Sequence, residues 1–177
     1  MKRKFWSWEG NTLSFEEKIS YESWYENKTA EKLFAYELLD KHKGNITVVI
    51  NSLGGDAFAA EIIYCLLRSY SGKVTTKIKS LAASAASVIA MAGDEIKISV
   101  TGQIVIHNPF FDSYELETLI DVDEIKDYSL EEIKENMIEI YGRKTKLPKE
   151  KIAQLMDAET WLNAEEALKL GFVDEIG

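Results

Sequence analysis

The chain has 177 residues, with 21 Lys and Arg against 30 Asp and Glu, so its formal net charge is −9. This length fits one domain around one core, and we predict a single domain over residues 1–177. An acidic surface attracts neither nucleic acid nor anionic membranes, so neither partner is expected. One cysteine and two histidines exclude a disulfide framework and disfavour a metal site, and no cofactor is expected.

The start of the chain carries no recognisable targeting signal. Residues 1–10 are basic and aromatic and lack the apolar stretch of a secretory signal. No segment approaches the ~18 apolar residues of a membrane span. We therefore expect a cytoplasmic protein.

Apolar spacing predicts strands and helices that alternate along the chain. The predicted strands are 12–20, 45–51, 73–79, 95–99 and 103–107, and the predicted helices are 29–41, 57–70, 81–93, 115–142, 148–155 and 164–170. Strands alternating with helices across short turns are typical of an α/β fold.

The segment 115–147 is unusually long and acidic. It carries an apolar stripe at Leu130, Ile133, Met137 and Ile140. A helix with such a stripe either packs on its own domain or meets a partner chain, and the sequence leaves both alternatives open.

A histidine at the end of a strand is a candidate general base. His107 follows Ile104–Ile106 and precedes Asn108-Pro109, where the chain must bend away. The alternative is a structural histidine. His42 lies at a predicted helix end, where a cation complements the helix dipole.

Ser84 is a candidate nucleophile, since it lies between alanine pairs at the predicted start of a helix. There, backbone N–H groups could bind an oxyanion. Ser87, three residues on, is a rival, and tight helix packing is the alternative for the whole Ala/Ser run. The surroundings are not the G-x-S-x-G elbow of α/β-hydrolases. The pair Gly54-Gly55 could expose a second N–H.

These motifs, taken in order, resemble the ClpP family of serine peptidases over residues 45–176. The order is Asn51-Ser52-Leu53-Gly54-Gly55-Asp56, Leu81-Ala82-Ala83-Ser84, Val105-Ile106-His107-Asn108-Pro109, a long helix, Ala164-Glu165-Glu166-Ala167 and Gly171-Phe172-Val173-Asp174. The runs Ala82–Ser87 and Glu159–Trp161 resemble most the branch encoded by phages and prophages.

The resemblance implies a fold and a set of roles. The fold is a crotonase-like α/β spiral of strand–helix units, with a projecting handle helix at about 115–147. By match to the family's motifs, Ser84 is the nucleophile and His107 the base. The backbone N–H groups of Gly55 and Ala85 match the family's oxyanion hole.

The acid that orients the histidine departs from the family, which has Asp where an ungapped match gives Glu159. We predict Glu159 in this role. Asp157 is the alternative, since it would lie on the same side of an extended segment. An ordinary solvated loop charge is the alternative for both.

Three further departures concern binding. Leu53 replaces a proline, and Phe110-Phe111-Asp112 replaces a Gly-Gly pair on the strand that docks the substrate backbone. Residues 1–10 do not match the family's axial loops, so the resemblance leaves open whether a AAA+ unfoldase is a partner.

The resemblance implies a self-compartmentalising serine endopeptidase, itself ATP-independent, that acts on polypeptides through an acyl-enzyme. Seven subunits would form a homo-oligomeric ring, singly or stacked in pairs, for phage or prophage protein processing or for protein turnover. A catalytically silent ring subunit is the alternative that Glu159 and Phe110 keep open. An acyl-CoA enzyme of the crotonase type would need acidic catalytic residues in place of the Ser–His pair.

Overall fold

The computed structural model describes residues 4–20, 30–110 and 130–177, which form an eight-stranded mixed sheet with packed helices. The strands are β1 (Ser7–Glu9), β2 (Thr12–Phe15), β3 (Ile46–Ser52), β4 (Val74–Ala83), β5 (Glu95–Ile98), β6 (Gln103–Ile106), β7 (Thr160–Asn163) and β8 (Glu175–Ile176). The helices are α1 (Ala30–Tyr36), continued by a π-helical turn at Glu37–Lys41, then α2 (Ala57–Arg68), α3 (Ala85–Ala90), α4 (Leu130–Thr145), α5 (Lys149–Asp157) and α6 (Ala164–Lys169).

The sheet runs in the order β1-β2-β3-β4-β5-β8, and a branch leaves β4 through β6 to β7. The branch is possible because β4 has 10 residues. Its first part pairs with β5 from Thr75, and its last three residues pair with β6 from Leu81. The strands β3, β4 and β6 are parallel, so their carboxyl ends lie at one end of the sheet.

Alternating and helical apolar spacing places the core between the sheet and its helices. In β3 every second residue is buried, as alternation in a half-covered strand requires. Asp56 caps α2 by accepting a hydrogen bond of 2.6 Å from the Ala59 N–H. The α2 face with Ala59, Ile63 and Leu67 is fully or almost fully buried.

The predicted helix at 81–93 is wrong in its first residues. Residues 81–83 continue β4, because Ala82 and Ala83 pair with Ile104 and Val105 of β6. Small apolar residues fit a buried strand as well as a buried helix, so spacing alone did not separate the two. The helix α3 is only six residues long and is buried throughout.

The segment 115–129 lies outside the described residues, so only the second half of the predicted handle can be compared. There, Ile133, Met137 and Ile140 are buried in this chain's own core. Tyr141 is fully buried beside Phe172, with ring centroids 5.7 Å apart. In the described half of the segment, the apolar stripe therefore packs on its own domain, which is the first of the two alternatives.

The first described residues form part of the core. Phe5 and Trp6 are buried, and Trp6 packs edge-to-face on Phe34 with centroids 5.4 Å apart. The buried Glu37 carboxylate accepts hydrogen bonds from Lys4 and, at 2.8 Å, from the Trp6 indole. Packing and a paired charge therefore hold residues 4–6 against the core. Within the described ranges, no helix has the length and apolarity to cross a membrane.

Candidate active site

The predicted site residues gather at one end of the sheet. Ser84 follows β4 and His107 follows β6, while Gly54 and Gly55 follow β3. Because β7 runs antiparallel to β6, Glu159 precedes β7 at this same end. The topology thus brings together residues that are up to 105 positions apart in the chain, since 159 − 54 = 105.

Ser84 has a strained backbone at the junction of β4 and α3. Its φ is 54° and its ψ is −129°, a region that costs a non-glycine residue on the order of 1–3 kcal/mol. Its N–H donates to the Val105 carbonyl at 2.9 Å, and its carbonyl accepts from the Ser87 N–H at 2.9 Å. The fold therefore holds a half-buried serine between a strand end and a helix start.

The glycine turn packs directly on this serine. A Cβ on Gly54, whose φ is +91°, would lie 2.8 Å from the Ser84 Cβ and 3.0 Å from the Ala85 nitrogen. A Cβ on Gly55, whose φ is +141°, would lie 2.9 Å from the Ile19 carbonyl carbon. Only glycine allows both these dihedral angles and these close approaches.

Two backbone donors beside Ser84 have no acceptor among the described residues. They are the N–H groups of Gly55 and Ala85. The turn itself is held on both sides, because the Ile19 N–H donates to the Gly54 carbonyl and the Asp56 N–H donates to the Ile19 carbonyl, each at 2.9 Å. Such fixed, unpaired donors can bind a negatively charged oxygen without reorganisation.

His107 is half-buried at the end of β6. Its Nδ1 lies 2.6 Å from the carbonyl oxygen of Asn108, and its ring lies against Phe110 with centroids 5.5 Å apart. Among the described residues, no hydrogen bond joins the imidazole to the Ser84 hydroxyl. A carbonyl can only accept, so this contact requires the proton on Nδ1, and in a neutral ring the lone pair is then on Nε2.

The two candidate acids lie in different environments. The register of β6 and β7 pairs Ile106 with Thr160, so one further step would set His107 opposite Glu159. Glu159 is exposed, has a φ of 46°, and its carboxylate bonds to no described group.

Asp157 ends α5, so the prediction that it lies in an extended segment with Glu159 is wrong. The helix continues to Asp157 because Ile152 and Met156 bury its apolar face. The Asp157 carboxylate accepts from Lys134 at 2.7 Å and from the Asn108 side chain at 3.0 Å. These hydrogen bonds, first from Lys134 and then from Asn108, hold the pKa of Asp157 below its ordinary value.

The rival residues have structural partners. Ser87 is fully buried, donates to the Ser84 carbonyl at 2.6 Å and lies 2.7 Å from the Tyr141 hydroxyl. The single hydroxyl hydrogen of Ser87 goes to the Ser84 carbonyl, so the Tyr141 hydroxyl is the donor to Ser87. Burial raises the pKa of Tyr141, which keeps this hydroxyl protonated. His42 is the residue after the π-helical turn and stacks on Trp8, with centroids 3.7 Å apart.

Three residues that sequence reasoning did not assign also shape this site. Ile19 clamps the glycine turn, and the Ser52 hydroxyl accepts from the Gly54 N–H at 3.1 Å. Trp161 is 54% exposed and pairs with Val105 of β6. Because every second residue of a strand faces the same side, Trp161 lies on the side of the sheet that His107 would also face. An exposed tryptophan on a strand was the available signal for Trp161, whereas nothing local marks Ile19.

The family is decided by comparison with known proteins. The family model described as Clp protease matches residues 7–177. The chain belongs to the Clp protease family. It is 31% identical over 147 residues to the ATP-dependent Clp protease proteolytic subunit 1 of Protochlamydia amoebophila, covering 82% of this chain and 70% of that protein.

Two further similarities bear on this Clp protease family member. It is 29% identical to the ATP-dependent Clp protease proteolytic subunit of Deinococcus radiodurans, over 85% of this chain and 75% of the relative. A solved structure of an asparagine-to-aspartate mutant of ClpP1 from Listeria monocytogenes matches with a TM-score of 0.74 at 23% identity, covering 95% of this chain and 91% of that one. This structural likeness confirms the predicted ClpP-like α/β fold. Closeness to the phage-encoded branch stays a prediction.

Proposed function

We propose that this Clp protease family chain is a serine endopeptidase subunit that cleaves polypeptides through an acyl-enzyme. Ser84 attacks the peptide carbonyl, and His107 takes the hydroxyl proton and then gives it to the leaving amine. Water, activated by the same histidine, releases the acyl group. The observation that carries the proposal is the strained Ser84, beside two backbone donors that find no acceptor in the part of the chain that the structure describes.

The oxyanion hole is the best supported part of this mechanism. Gly55 follows the glycine that packs on Ser84, and Ala85 follows Ser84 itself, so the two N–H groups come from the two segments in close contact. Both are main-chain groups, so the alanine side chain at 85 has no bearing on them. Loss of one such donor typically lowers kcat by roughly 10²–10³-fold.

The base needs one rearrangement to act. The His107 Nε2 must approach the Ser84 hydroxyl, and its Nδ1–H must turn to an acceptor that stabilises the imidazolium. We propose Glu159 as that acceptor, since the register of β6 and β7 extends to this pair. Rotation of the His107 and Glu159 side chains, with the strands unmoved, would complete the triad.

The particle and its setting follow from family resemblance and belong to the proposal. The named relatives are proteolytic subunits of an ATP-dependent protease, and we propose that this chain supplies only the hydrolysis, which uses no ATP. A homo-oligomeric ring, heptameric by family resemblance, would confine cleavage to threaded or unfolded polypeptides in the cytoplasm. Phage protein processing or general turnover would be its use. Phe5 and Trp6 are buried in the core, and whether a AAA+ unfoldase is a partner stays part of the proposal.

A catalytically silent ring subunit is the second candidate. It is favoured by one observation, the His107 Nδ1 held by Asn108 with no bond to Ser84. In that function the fold and the ring would persist without turnover.

Intact mass after exposure to a fluorophosphonate separates the two functions. We expect one adduct per subunit on the wild type, none on Ser84→Ala, and an unchanged adduct on Ser80→Ala. Ser80 is an exposed serine of β4 and serves as the matched control. No adduct on a folded oligomer would favour the silent subunit, and an adduct on Ser87 would contradict the assignment of the nucleophile.

A further inference from the structure

A continuous line of hydrogen bonds leads from α4 to the histidine. Lys134 of α4 donates to the Asp157 carboxylate at 2.7 Å. The Asn108 side-chain amide donates to this same oxygen at 3.0 Å. The Asn108 carbonyl then lies 2.6 Å from the His107 Nδ1. We call this line, Lys134–Asp157–Asn108, the asparagine tether.

The orientation of Asn108 within the tether follows from the chemistry of its partners. An ionised carboxylate only accepts, so the amide nitrogen, and not the amide oxygen, must face Asp157. The amide oxygen of Asn108 is buried and has no hydrogen-bond partner in the described ranges. The side chain is therefore held from one end, by Asp157, in a single orientation.

The tether restrains the carbonyl that His107 uses. The Asn108 side chain and carbonyl share one Cα, and Pro109 follows with a fixed φ. With the amide anchored on α5, the peptide plane between Asn108 and Pro109 has little freedom to turn. The Nδ1 acceptor thus stays where the imidazole now meets it.

Two acceptors compete for one donor. A neutral imidazole has a single N–H, and the contact with Asn108 places it on Nδ1. The same N–H would have to face Glu159 in a Ser–His–Glu triad. It cannot make a full hydrogen bond to the Asn108 carbonyl and to the Glu159 carboxylate together.

We propose that Asn108 is a positioning residue for His107, and that Asp157 and Lys134 hold it so that the Nδ1–H stays on the Asn108 carbonyl and away from Glu159. This inference rests on the proposed function. Without the tether, the carboxylate becomes the preferred acceptor, because charge-assisted hydrogen bonds are the stronger ones.

The tether favours the contact between His107 and the Asn108 carbonyl only weakly. The Asp157 side chain is 55% exposed and that of Lys134 is 19% exposed, so water competes for their ion pair. Opening an exposed pair of this kind shifts an equilibrium by roughly two- to fivefold. We expect changes of this size in the reactivity of Ser84.

Nitrogen-15 NMR of the histidine rings tests the inference on the full chain. The chain has only two histidines, so a His42→Gln variant assigns the His107 resonances without ambiguity. The variants are Asp157→Ala and Lys134→Met, which cut the tether at different points, so one remains informative if the other folds poorly. Lys151→Met is the control, since this exposed lysine of α5 has a side chain that bonds to none of the described residues.

In both tether variants we expect the NMR resonance of the Nδ1–H proton to move downfield, because a charged acceptor has this effect. The Lys151→Met control should match the wild type. Adding Glu159→Gln should cancel the shift. The rate of Ser84 acylation by the fluorophosphonate should rise roughly two- to fivefold in the tether variants. An unmoved resonance, a shift that persists with Glu159→Gln, or a lower acylation rate would each overturn the inference.

Failure of the proposed function would give a different result from failure of the tether. If Ser84 accepts no probe in any variant, the endopeptidase is wrong, while the NMR shift still decides whether the tether selects the Nδ1 acceptor.

Discussion

The candidate site has two halves that the fold holds in different ways. The nucleophile half, consisting of Gly54, Gly55, Ser84 and Ala85, is fixed by backbone hydrogen bonds and close contacts. The base half, which we define as the described residues His107 and Glu159, shares no hydrogen bond in the structure, so the proposed pairing would need these side chains to rotate. The difference teaches that the sheet itself can fix a pair of backbone N–H donors, whereas neighbouring side chains stay free to rotate.

Loss of the base should have the largest effect. In His107→Gln, Ser84 keeps its backbone but loses its proton acceptor, so acylation should slow by roughly 10³–10⁴-fold. The free energy of unfolding should change little, because the ring is half-buried and bonds to its own neighbour. Probe kinetics and urea denaturation would be measured together. A fall of less than tenfold would show that another group accepts the proton.

Disturbing the nucleophile half should affect both stability and activity. In Gly54→Ala, the new Cβ would meet the Ser84 Cβ at 2.8 Å at a φ of +91°. We expect a loss of about 2–4 kcal/mol in the free energy of unfolding and no detectable acylation. Gly10→Ala is the matched control, since its φ is +56° but nothing lies within 4 Å of its Cβ. If Gly54→Ala loses no more stability than Gly10→Ala, packing on Ser84 is not the cause.

The support beneath Ser84 can be weakened without touching the site. Tyr141→Phe removes the hydroxyl that donates to Ser87, while Ser87 still donates to the Ser84 carbonyl. We expect a loss of about 1 kcal/mol in the free energy of unfolding and less than a threefold change in acylation. Thermal and urea unfolding would measure the first quantity. A tenfold or larger loss of acylation would mean that the nucleophile half is less rigid than its contacts indicate.

The smallest effect is expected for Glu37, whose carboxylate bonds to neither half of the candidate site. Burial alone would raise the pKa of Glu37, but hydrogen bonds from Lys4 and Trp6 outweigh it and hold the pKa below 4.5. The stabilisation is therefore present above the unfolded pKa near 4.5 and is lost as the pH falls through the lower folded pKa.

Glu37→Gln should flatten the dependence of unfolding free energy on pH in this acid window, at a cost below ~1 kcal/mol at pH 7, since Lys4 is partly exposed. Acylation at pH 7 should not change. An unaltered acid slope in chemical denaturation would contradict the role of this carboxylate.

The division between a half fixed by backbone and a half made of side chains also bears on what the sequence could predict. Most strands and helices follow from apolar spacing, and Ser84, His107 and the glycine pair follow from motifs in a fixed order. The boundary at residue 83 was missed, because alanines pack equally well in a strand and in a helix. The strand β7 was missed because only one of its four residues, Leu162, is buried, so it shows no apolar alternation.

Side-chain partners across the chain were beyond local reasoning. The clamp on Gly55 comes from Ile19, 36 positions away by 55 − 19 = 36, and no spacing rule links the two residues. The bond between Asn108 and Asp157 arises because α5 ends where β6 ends, which only the assembled sheet reveals. The choice between Glu159 and Asp157 thus depended on a helix end that the sequence did not fix.

The order of the strands also bears on how the protein folds. From β1 to β5 each strand pairs with its predecessor in the chain, so these ladders form between near neighbours. The strand β8 instead closes on β5 through pairs such as Lys97 and Glu175, which are 78 positions apart. Closing so long a loop costs more chain entropy than joining adjacent strands. We expect the amino-terminal ladders to gain protection from hydrogen exchange first during refolding, and the β5–β8 edge to gain it last.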